Sequence, residues 1–265
     1  MFDDLLSPLL SLSRVTAIAH RGGAALRPEN TMTAFAHAVA LGADALECDV
    51  HLSRDGEAVV IHDATLDRTT DVTGPVAALG VRELARADAG YRFGAAEGFP
   101  FRGKGCGIPT LTDVLSTWPG VPVVVEIKGD RAETAARVLD VVRELGAEHR
   151  VIVGGFSAIV LEAVRRSGRR VITSASSVEV QSALRRSAVW LTPRRTGFDL
   201  FQVPIRLRGR RVLTRAFVRA ARRARVPVQV WIVDDAREMR ELVSWGVTGL
   251  ISDRPDVAIE VRNEN

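Results

Sequence analysis

Ala43-Asp44-Ala45-Leu46-Glu47-Cys48-Asp49-Val50-His51-Leu52-Ser53-Arg54-Asp55-Gly56-Glu57-Ala58-Val59-Val60-Ile61-His62 is the stretch that decides the fold. Two runs with strand character, Ala43–Val50 and Glu57–His62, flank Ser53-Arg54-Asp55-Gly56. Asp-Gly between such runs is a strong tight-turn signal. A tight turn joins only antiparallel neighbours, because a parallel pair needs a crossover. Glu57–His62 is therefore predicted to return along its neighbour rather than to take a place in a parallel sheet. Working outward, the other short β-branched runs are Val15–His20, Val121–Lys128, Val151–Phe156, Val171–Ser174, Leu200–Ile205, Val226–Val233 and Gly249–Ser252. Helix-like segments fall between most of them: Asn30–Leu41, with Glu29-Asn30-Thr31 as its cap, then Arg131–Leu145, Ser157–Ser167, Thr214–Ala224 and Asp235–Trp245. Alternation of this kind means βαβ units and a parallel sheet. With the return strand set aside, eight parallel strands remain, which is the number of a TIM (β/α)₈ barrel.

The length agrees. The chain has 265 residues, and such a barrel takes about 250. One catalytic domain over residues 1–265 is expected, with an insertion over approximately 66–108. That insertion is Gly-rich and, at roughly 40 residues, too long for a plain connection. It is expected to cap the mouth of the barrel, with Tyr91, Phe93, Phe99 and Phe101 burying area.

Hydrophobic residues make up 46% and charged residues 26% of the chain, an ordinary globular balance with no sign of disorder. The net charge is +4, yet the pI is about 9.8. The basic residues are almost all Arg; the lysines are Lys104 and Lys128. Cys48 and Cys106 are too few for a disulfide framework or a zinc site. No apolar run is long enough to span a bilayer, so no stable membrane insertion is expected. Met1–Val15 carries Asp3 and Asp4 and lacks the basic start of a signal peptide. A cytoplasmic location is the expectation. The Arg-dense stretch 194–225 has Asp199 as its one acid. It reads as a solvated face of an Arg-biased chain rather than as a surface that steers anions or touches a membrane.

Active sites of these barrels lie at the C-terminal strand ends, and there the polar residues collect. The first strand ends in His20-Arg21-Gly22-Gly23. The second carries Glu47-Cys48-Asp49, the hairpin returns to His62-Asp63, and a later strand ends in Glu126-Ile127-Lys128. Strand side chains alternate, so Glu47 and Asp49 share a face, as do Glu126 and Lys128, while Cys48 points the other way. Three buried carboxylates would resist ionising together. A hard divalent cation, Mg²⁺ or Ca²⁺, removes the conflict and suits oxygen-only ligands. Arg21 and Lys128 can grip phosphate oxygens, with help from the N–H groups of Gly22 and Gly23. Two histidines supply an acid and a base near neutral pH. Phosphodiester cleavage needs these parts.

At these residues the chain resembles the glycerophosphodiester phosphodiesterase family of the bacterial type. The resemblance runs through His20-Arg21-Gly22, Pro28-Glu29-Asn30-Thr31, Ala34-Phe35, Gly42-Ala43-Asp44, Glu47, Asp49-Val50, Asp55-Gly56 and His62-Asp63. It continues through Arg68-Thr69-Thr70, Ile108-Pro109-Thr110-Leu111, Glu126-Ile127-Lys128, Trp231-Ile232-Val233-Asp234 and Gly246 to Pro255. It implies that Glu47, Asp49 and Glu126 bind the metal, that His20 and His62 act as general base and acid, and that Arg21 and Lys128 hold phosphate. It also implies attack by a glycerol hydroxyl on phosphorus, then opening of the cyclic phosphate by water to give sn-glycerol 3-phosphate. Ile232 and Asp234 stand where the family has Thr and Asn, beside Trp231, which is as well suited to core packing as to substrate contact.

Other assignments compete. His51 shares a face with Asp49 but reads as an ordinary hairpin residue. His37 and His149 read as surface or helix-end residues. Glu29 and Asn30 could be caps and nothing more. Asp253 before Arg254-Pro255 most simply starts a turn. Cys106 has no assigned role. A nuclease could be drawn from Asp113, Glu126 and Lys128, but it leaves His20, Glu47, Asp49 and His62 unused and places Asp113 in a helix-like stretch, so no nucleic-acid partner is expected. A phospholipase D-like or phospholipase C-like enzyme acting on lysolipids or intact lipids would want an apolar rim, for which Phe93, Phe99 and Phe101 in the insertion are the candidates. A barrel that only binds its ligand would lack a histidine or a carboxylate, and none is missing. The oligomeric state cannot be read from one sequence.

Overall fold

Nine of the β-rich runs form strands where expected: β1 (Thr16–Ala19), β2 (Ala45–Leu52), β3 (Ala58–Val60), β4 (Val123–Ile127), β5 (Val151–Gly154), β6 (Ile172–Thr173), β7 (Phe201–Pro204), and, after a small extra ribbon of β8 (Arg206–Leu207) and β9 (Arg210–Arg211), β10 (Val228–Trp231) and β11 (Gly249–Ser252). The structure, a computed structural model, describes residues 5–168, 171–194, 197–207 and 210–265; Asp3, Asp4 and four positions of the Arg-dense stretch are among those outside these ranges. β3 runs antiparallel to β2, with Val50 opposite Val60 and Leu52 opposite Ala58. Gly56 in the connecting turn has φ +80°, which glycine adopts without strain.

The other strands lie in the order β6-β5-β4-β2-β1-β11-β10-β7, all parallel. The two ends meet. Ser174 bridges Leu200 in parallel, and the Asp199 and Ala175 N–H groups donate to Thr173 O and Leu200 O at 2.9 Å each. Eight parallel strands thus close into a barrel.

The helices α1 (Met32–Leu41), α2 (Val81–Leu84), α3 (Leu111–Thr117), α4 (Ala132–Glu144), α5 (Ala158–Arg166), α6 (Ser177–Ala188), α7 (Arg215–Arg223), α8 (Ala236–Trp245) and α9 (Pro255–Asn263) pack mostly around it. Thr31 caps α1 by accepting the Ala34 N–H. The barrel interior is filled by Ile18, Ala45, Val124, Ile152, Leu200 and Ile251, and Leu6 and Leu9 join them from the N-terminal segment. That segment is tied to the barrel by Gln229, whose Nε2 donates to Leu9 O at 3.2 Å. Between strands and helices lie two apolar layers, one centred on β2, β4 and β5, the other on β7, β10 and α7. No helix among the described residues is long and apolar enough to cross a membrane.

Residues 66–108 hold α2 and isolated short turns, with a small core of Leu66, Val76, Leu84, Ala87, Ala89 and Ile108 packed on Val59 and Ile61 of the hairpin arm. Their aromatics pack on one another. Phe93 meets Phe101 edge-on at 5.5 Å, and the Arg102 guanidinium covers Phe99 at 3.8 Å and Tyr91 at 4.1 Å. Arginines of the 194–225 stretch also find aromatic partners, from elsewhere in the chain: Arg211 and Arg215 lie over Trp245, and Arg219 over Trp190.

Candidate active site

Strand register brings the carboxylates together. Asp49 of β2 is the register partner of Glu126 of β4, and Glu47 lies two residues earlier on the same face. The three offer oxygens within 4.8 Å of one another. Glu47 and Asp49 are buried. Cys48, between them, is buried in the opposite, helix-facing layer.

Cations surround two of the three acids. Lys128 Nζ is 2.6 Å from Glu126 Oε1 and 2.8 Å from Asp49 Oδ1. Arg21 Nε is 3.1 Å from Asp49 Oδ2. Burial alone would raise the Asp49 pKa, but Lys128 and Arg21 outweigh it and hold the group below its ordinary range. Among the described residues Glu47 has no such partner. Its Oε2 accepts only the Arg21 backbone N–H at 2.9 Å and faces His20 Nε2 at 3.9 Å. Burial and the neighbouring Asp49 charge push Glu47 up to about 8. A divalent cation among these oxygens would remove that penalty, so the donor set fits a hard metal ion.

Both histidines are held the same way. His20 Nδ1 meets Asp253 Oδ1 at 2.6 Å, and His62 Nδ1 meets Asp63 Oδ1 at 2.6 Å. Each carboxylate accepts a hydrogen bond from Nδ1–H, which leaves Nε2 for chemistry. Burial opposes protonation of His20, yet Glu47 and Asp253 outweigh it and raise its pKa. The loop after β1 delivers His20 through a sharp turn: Arg21, Gly22 and Gly23 have φ +50°, +82° and +94°. A Cβ at Gly22 would stand 2.7 Å from Ala34 Cβ, so only glycine fits. The Gly23 N–H donates to His20 O at 2.8 Å within this turn, so it is not a free phosphate donor.

Five residues that the sequence left as caps, turns or motif letters support the site. Asn30 Nδ2 donates to Asp49 Oδ2 at 2.8 Å, and the Asp49 N–H donates to Asn30 Oδ1 at 3.3 Å. Glu29 accepts from Arg21 at 2.8 Å and from both terminal nitrogens of Arg68 at 2.7 Å; the Arg68 Nε–H also reaches Asp63. Asp253, read as the start of a turn, is instead the partner of His20. Asp234 Oδ1 accepts the Asp253 N–H at 2.9 Å and the Ser252 hydroxyl at 2.7 Å, fixing that strand end. The assignments of His51 and Asp113 agree with the sequence. His51 Nε2 donates to His62 O at 3.0 Å within the hairpin, and Asp113 closes a capping box with Thr110 at the start of α3. Neither is in the acidic cluster.

One cavity of about 250 Å³ contains the site. His20, Arg21, Glu47, His62, Glu126 and Lys128 line one side, and Trp231 stands on the other, in edge-on contact with Phe156 at 5.6 Å. No residue of 66–108 is among those lining it; Phe93, Phe99 and Phe101 form no part of its wall.

Comparison with known proteins agrees with this geometry. Residues 20–257 match the glycerophosphoryl diester phosphodiesterase family. "Probable glycerophosphodiester phosphodiesterase 2" of Mycobacterium tuberculosis is 34% identical, over 92% of this chain and 89% of its own. A glycerophosphodiester phosphodiesterase of Caldanaerobacter subterraneus is 31% identical, over 94% and 98%. The crystal structure of a glycerophosphodiester phosphodiesterase from Agrobacterium tumefaciens superposes with a TM-score of 0.74 at 28% identity, over 93% of this chain and 99% of that one. The match spans the acidic cluster, both histidines with their carboxylate partners, and Trp231: the chain belongs to the glycerophosphoryl diester phosphodiesterase family, and it is a phosphoric diester hydrolase.

Proposed function

We propose that this chain hydrolyses glycerophosphodiesters to sn-glycerol 3-phosphate and an alcohol, with a divalent cation, Mg²⁺ or Ca²⁺, and histidine acid/base catalysis. The observation that carries this is the pairing of two carboxylate-held histidines with a three-carboxylate cluster, two of its acids buried, at one cavity. Glu47, Asp49 and Glu126 would hold the cation, which when bound neutralises charge on the phosphate oxygens. Arg21 and Lys128, poised on the same acids, bind and orient the phosphate. His20, beside Glu47, accepts the proton of the attacking hydroxyl at Nε2, and His62 gives one to the leaving oxygen. Asp253 and Asp63 keep both rings in the tautomer this needs. Trp231 flanks the bound substrate. Residues 66–108 serve as an insertion that supports the site through Arg68. A cytoplasmic setting suits the two buried, unpaired cysteines.

The test is direct. Purified protein with glycerophosphocholine and Mg²⁺ or Ca²⁺ should yield glycerol 3-phosphate in a coupled dehydrogenase assay. The product should vanish with EDTA and in His20→Ala. A folded protein that forms product equally well in EDTA would refute the metal role. Normal turnover by His20→Ala or His62→Ala would refute the histidine roles.

A further inference from the structure

α6 ends in a turn that glycine ordinarily makes. The Leu191 N–H donates to Arg186 O at 2.9 Å and the Trp190 N–H to Ser187 O at 3.2 Å, the Schellman arrangement, with Trp190 in its left-handed position at φ +63°. Bulky side chains rarely take that conformation, and one that does bears strain. Burial does not offset it. Trp190 is 72% exposed, and its neighbours Val189 and Leu191 are 62% and 49% exposed. Three consecutive apolar side chains thus stand in water on a turn whose backbone is fixed.

Arginines surround them. Arg215, Arg219, Arg222 and Arg223 follow one another at helical spacing along one side of α7, and all are exposed. The Arg219 guanidinium lies 5.9 Å from the centroid of the Trp190 ring, and Arg223 Nη2 donates to Trp190 O at 3.4 Å. Arg185 is exposed in the last turn of α6. Acids are scarce. From Val180 to Val233 the sequence has Asp199 alone, whose carboxylate accepts the Thr173 N–H at 2.9 Å. Among the described residues, Arg211 and the arginines of α6 and α7 have one ion pair, Arg211 with Glu241 at 3.9 Å. Read alone, the Arg-dense stretch 194–225 is a solvated face, since it holds no Trp or Tyr. Folded, it has a Trp on each flank: Trp190, and Trp245, whose ring Arg211 and Arg215 cover at 4.6 and 5.2 Å.

We propose that this face of α6 and α7 docks the protein on an anionic lipid bilayer, peripherally and without a spanning segment. Val189, Trp190 and Leu191 enter the interfacial region, where Trp is favoured, and Arg185, Arg219 and Arg223 meet the lipid phosphates. A second copy of the chain is a poorer occupant, because a twofold contact would set arginine against arginine. A nucleic acid would match the charge but leave three apolar side chains against phosphate. The docking face is separate from the catalytic groups. α6 begins at the cavity, with Ser177, Val180 and Gln181 on its lining, and its 12 residues carry the chain about 18 Å along before Trp190. Docked through this turn, the protein keeps its cavity open to dissolved diesters.

Co-sedimentation with vesicles tests this, with Mg²⁺ in every arm. The protein should bind vesicles of phosphatidylglycerol and phosphatidylcholine in equal parts and stay in solution with phosphatidylcholine alone. It should leave the anionic vesicles at about 1 M salt, where the Debye length falls to about 3 Å. Arg219→Gln combined with Arg223→Gln should weaken binding about 25-fold, from about fivefold for each arginine near such a surface. Trp190→Gly should weaken it about tenfold or more without lowering the urea midpoint, because glycine takes the left-handed turn freely. Both variants should keep the parent's kcat/KM on glycerophosphocholine in vesicle-free solution. No sedimentation of the folded protein with anionic vesicles would overturn the proposal. So would binding that neither variant weakens, retention on duplex DNA but not on vesicles, or a dimer in sedimentation velocity that Trp190→Gly dissolves.

Discussion

Asn30 offers the sharpest check on how the carboxylate cluster is held. It is 3% exposed, its φ is +57°, and its amide donates to Asp49 Oδ2 at 2.8 Å. Asn30→Ala removes a buried hydrogen bond to a charged group, about 1.5–3 kcal/mol. Ala keeps the strain that Asn30 already bears, because both place a Cβ in the left-handed region. The expected loss is therefore roughly 1.5–3 kcal/mol. Asn30→Gly loses the same bond without the backbone strain and should be less damaging by about 1–2 kcal/mol. That order is informative, because in a helix or strand interior Gly is the worse of the two. Urea unfolding in EDTA measures both variants through the midpoint, provided the slope is unchanged. If both lose less than about 1 kcal/mol, the bond to Asp49 contributes far less than its usual range. If Ala is as well tolerated as Gly, the left-handed turn at Asn30 is wrong.

Mg²⁺ or Ca²⁺ at about 100 times its dissociation constant should stabilise the fold by about 2.7 kcal/mol. Glu47→Gln should abolish that gain, read as the change in Tm on adding EDTA. Asp253→Asn should lower kcat on the order of a hundredfold while the cation still raises Tm, since Asp253 touches His20 and not the acidic cluster; unchanged kcat would remove its positioning role. Gly22→Ala should cost about 3 kcal/mol in urea, from overpacking plus a forced positive φ, because its Cβ would meet Ala34 Cβ at 2.7 Å. Burial would raise the Glu29 pKa, but Arg68 and Arg21 outweigh it and hold it below 4.5. A depressed carboxylate stabilises the fold above its unfolded pKa and loses that contribution as pH falls through the folded value. The stability of Glu29→Gln should therefore be lower than the parent's at pH 7 and flatter below pH 4.5, in urea titrations at each pH.

Much of the fold was legible because its decisive signals are local. Asp55-Gly56 sets the hairpin, and β-branched runs separated by amphipathic stretches set the rest. α6 and α9 were not picked out, although each carries a start signal. Ser176 and Glu179 form a capping box, and Pro255 stands in the first turn of α9. Closure of the ring was inferred from counting strands; the contact that makes it, Ser174 to Leu200, lies between residues with no pattern of their own. The candidate metal ligands divide in the same way. Glu47 and Asp49 share a face by alternation within one strand. Their approach to Glu126 depends on the β2–β4 register, which no short stretch of sequence states. Asp253 lies 233 residues from His20, and the two meet only because β11 closes on β1.

The rim shows most plainly why position in a barrel decides what an apolar residue means. Phe93, Phe99 and Phe101 were expected to bury area in the insertion, and were the candidates for an apolar rim had the enzyme acted on lipids. In the fold they are half-buried, Phe93 against Phe101 and Phe99 under Arg102, and line no part of the cavity. Leu184, Leu207 and Val212 carry no such flag, since an aliphatic residue on a helix or ribbon ordinarily packs inward. What distinguishes them is that α6 and the β8–β9 ribbon stand at the mouth, across from the charged half. Part of that wall, Phe156, Leu207 and Ile232, is exposed, so apolar surface lies beside the charged site. The cavity therefore opposes a charged half to an apolar half, and what an aliphatic residue does there is set by its place in the ring of strands and not by its type.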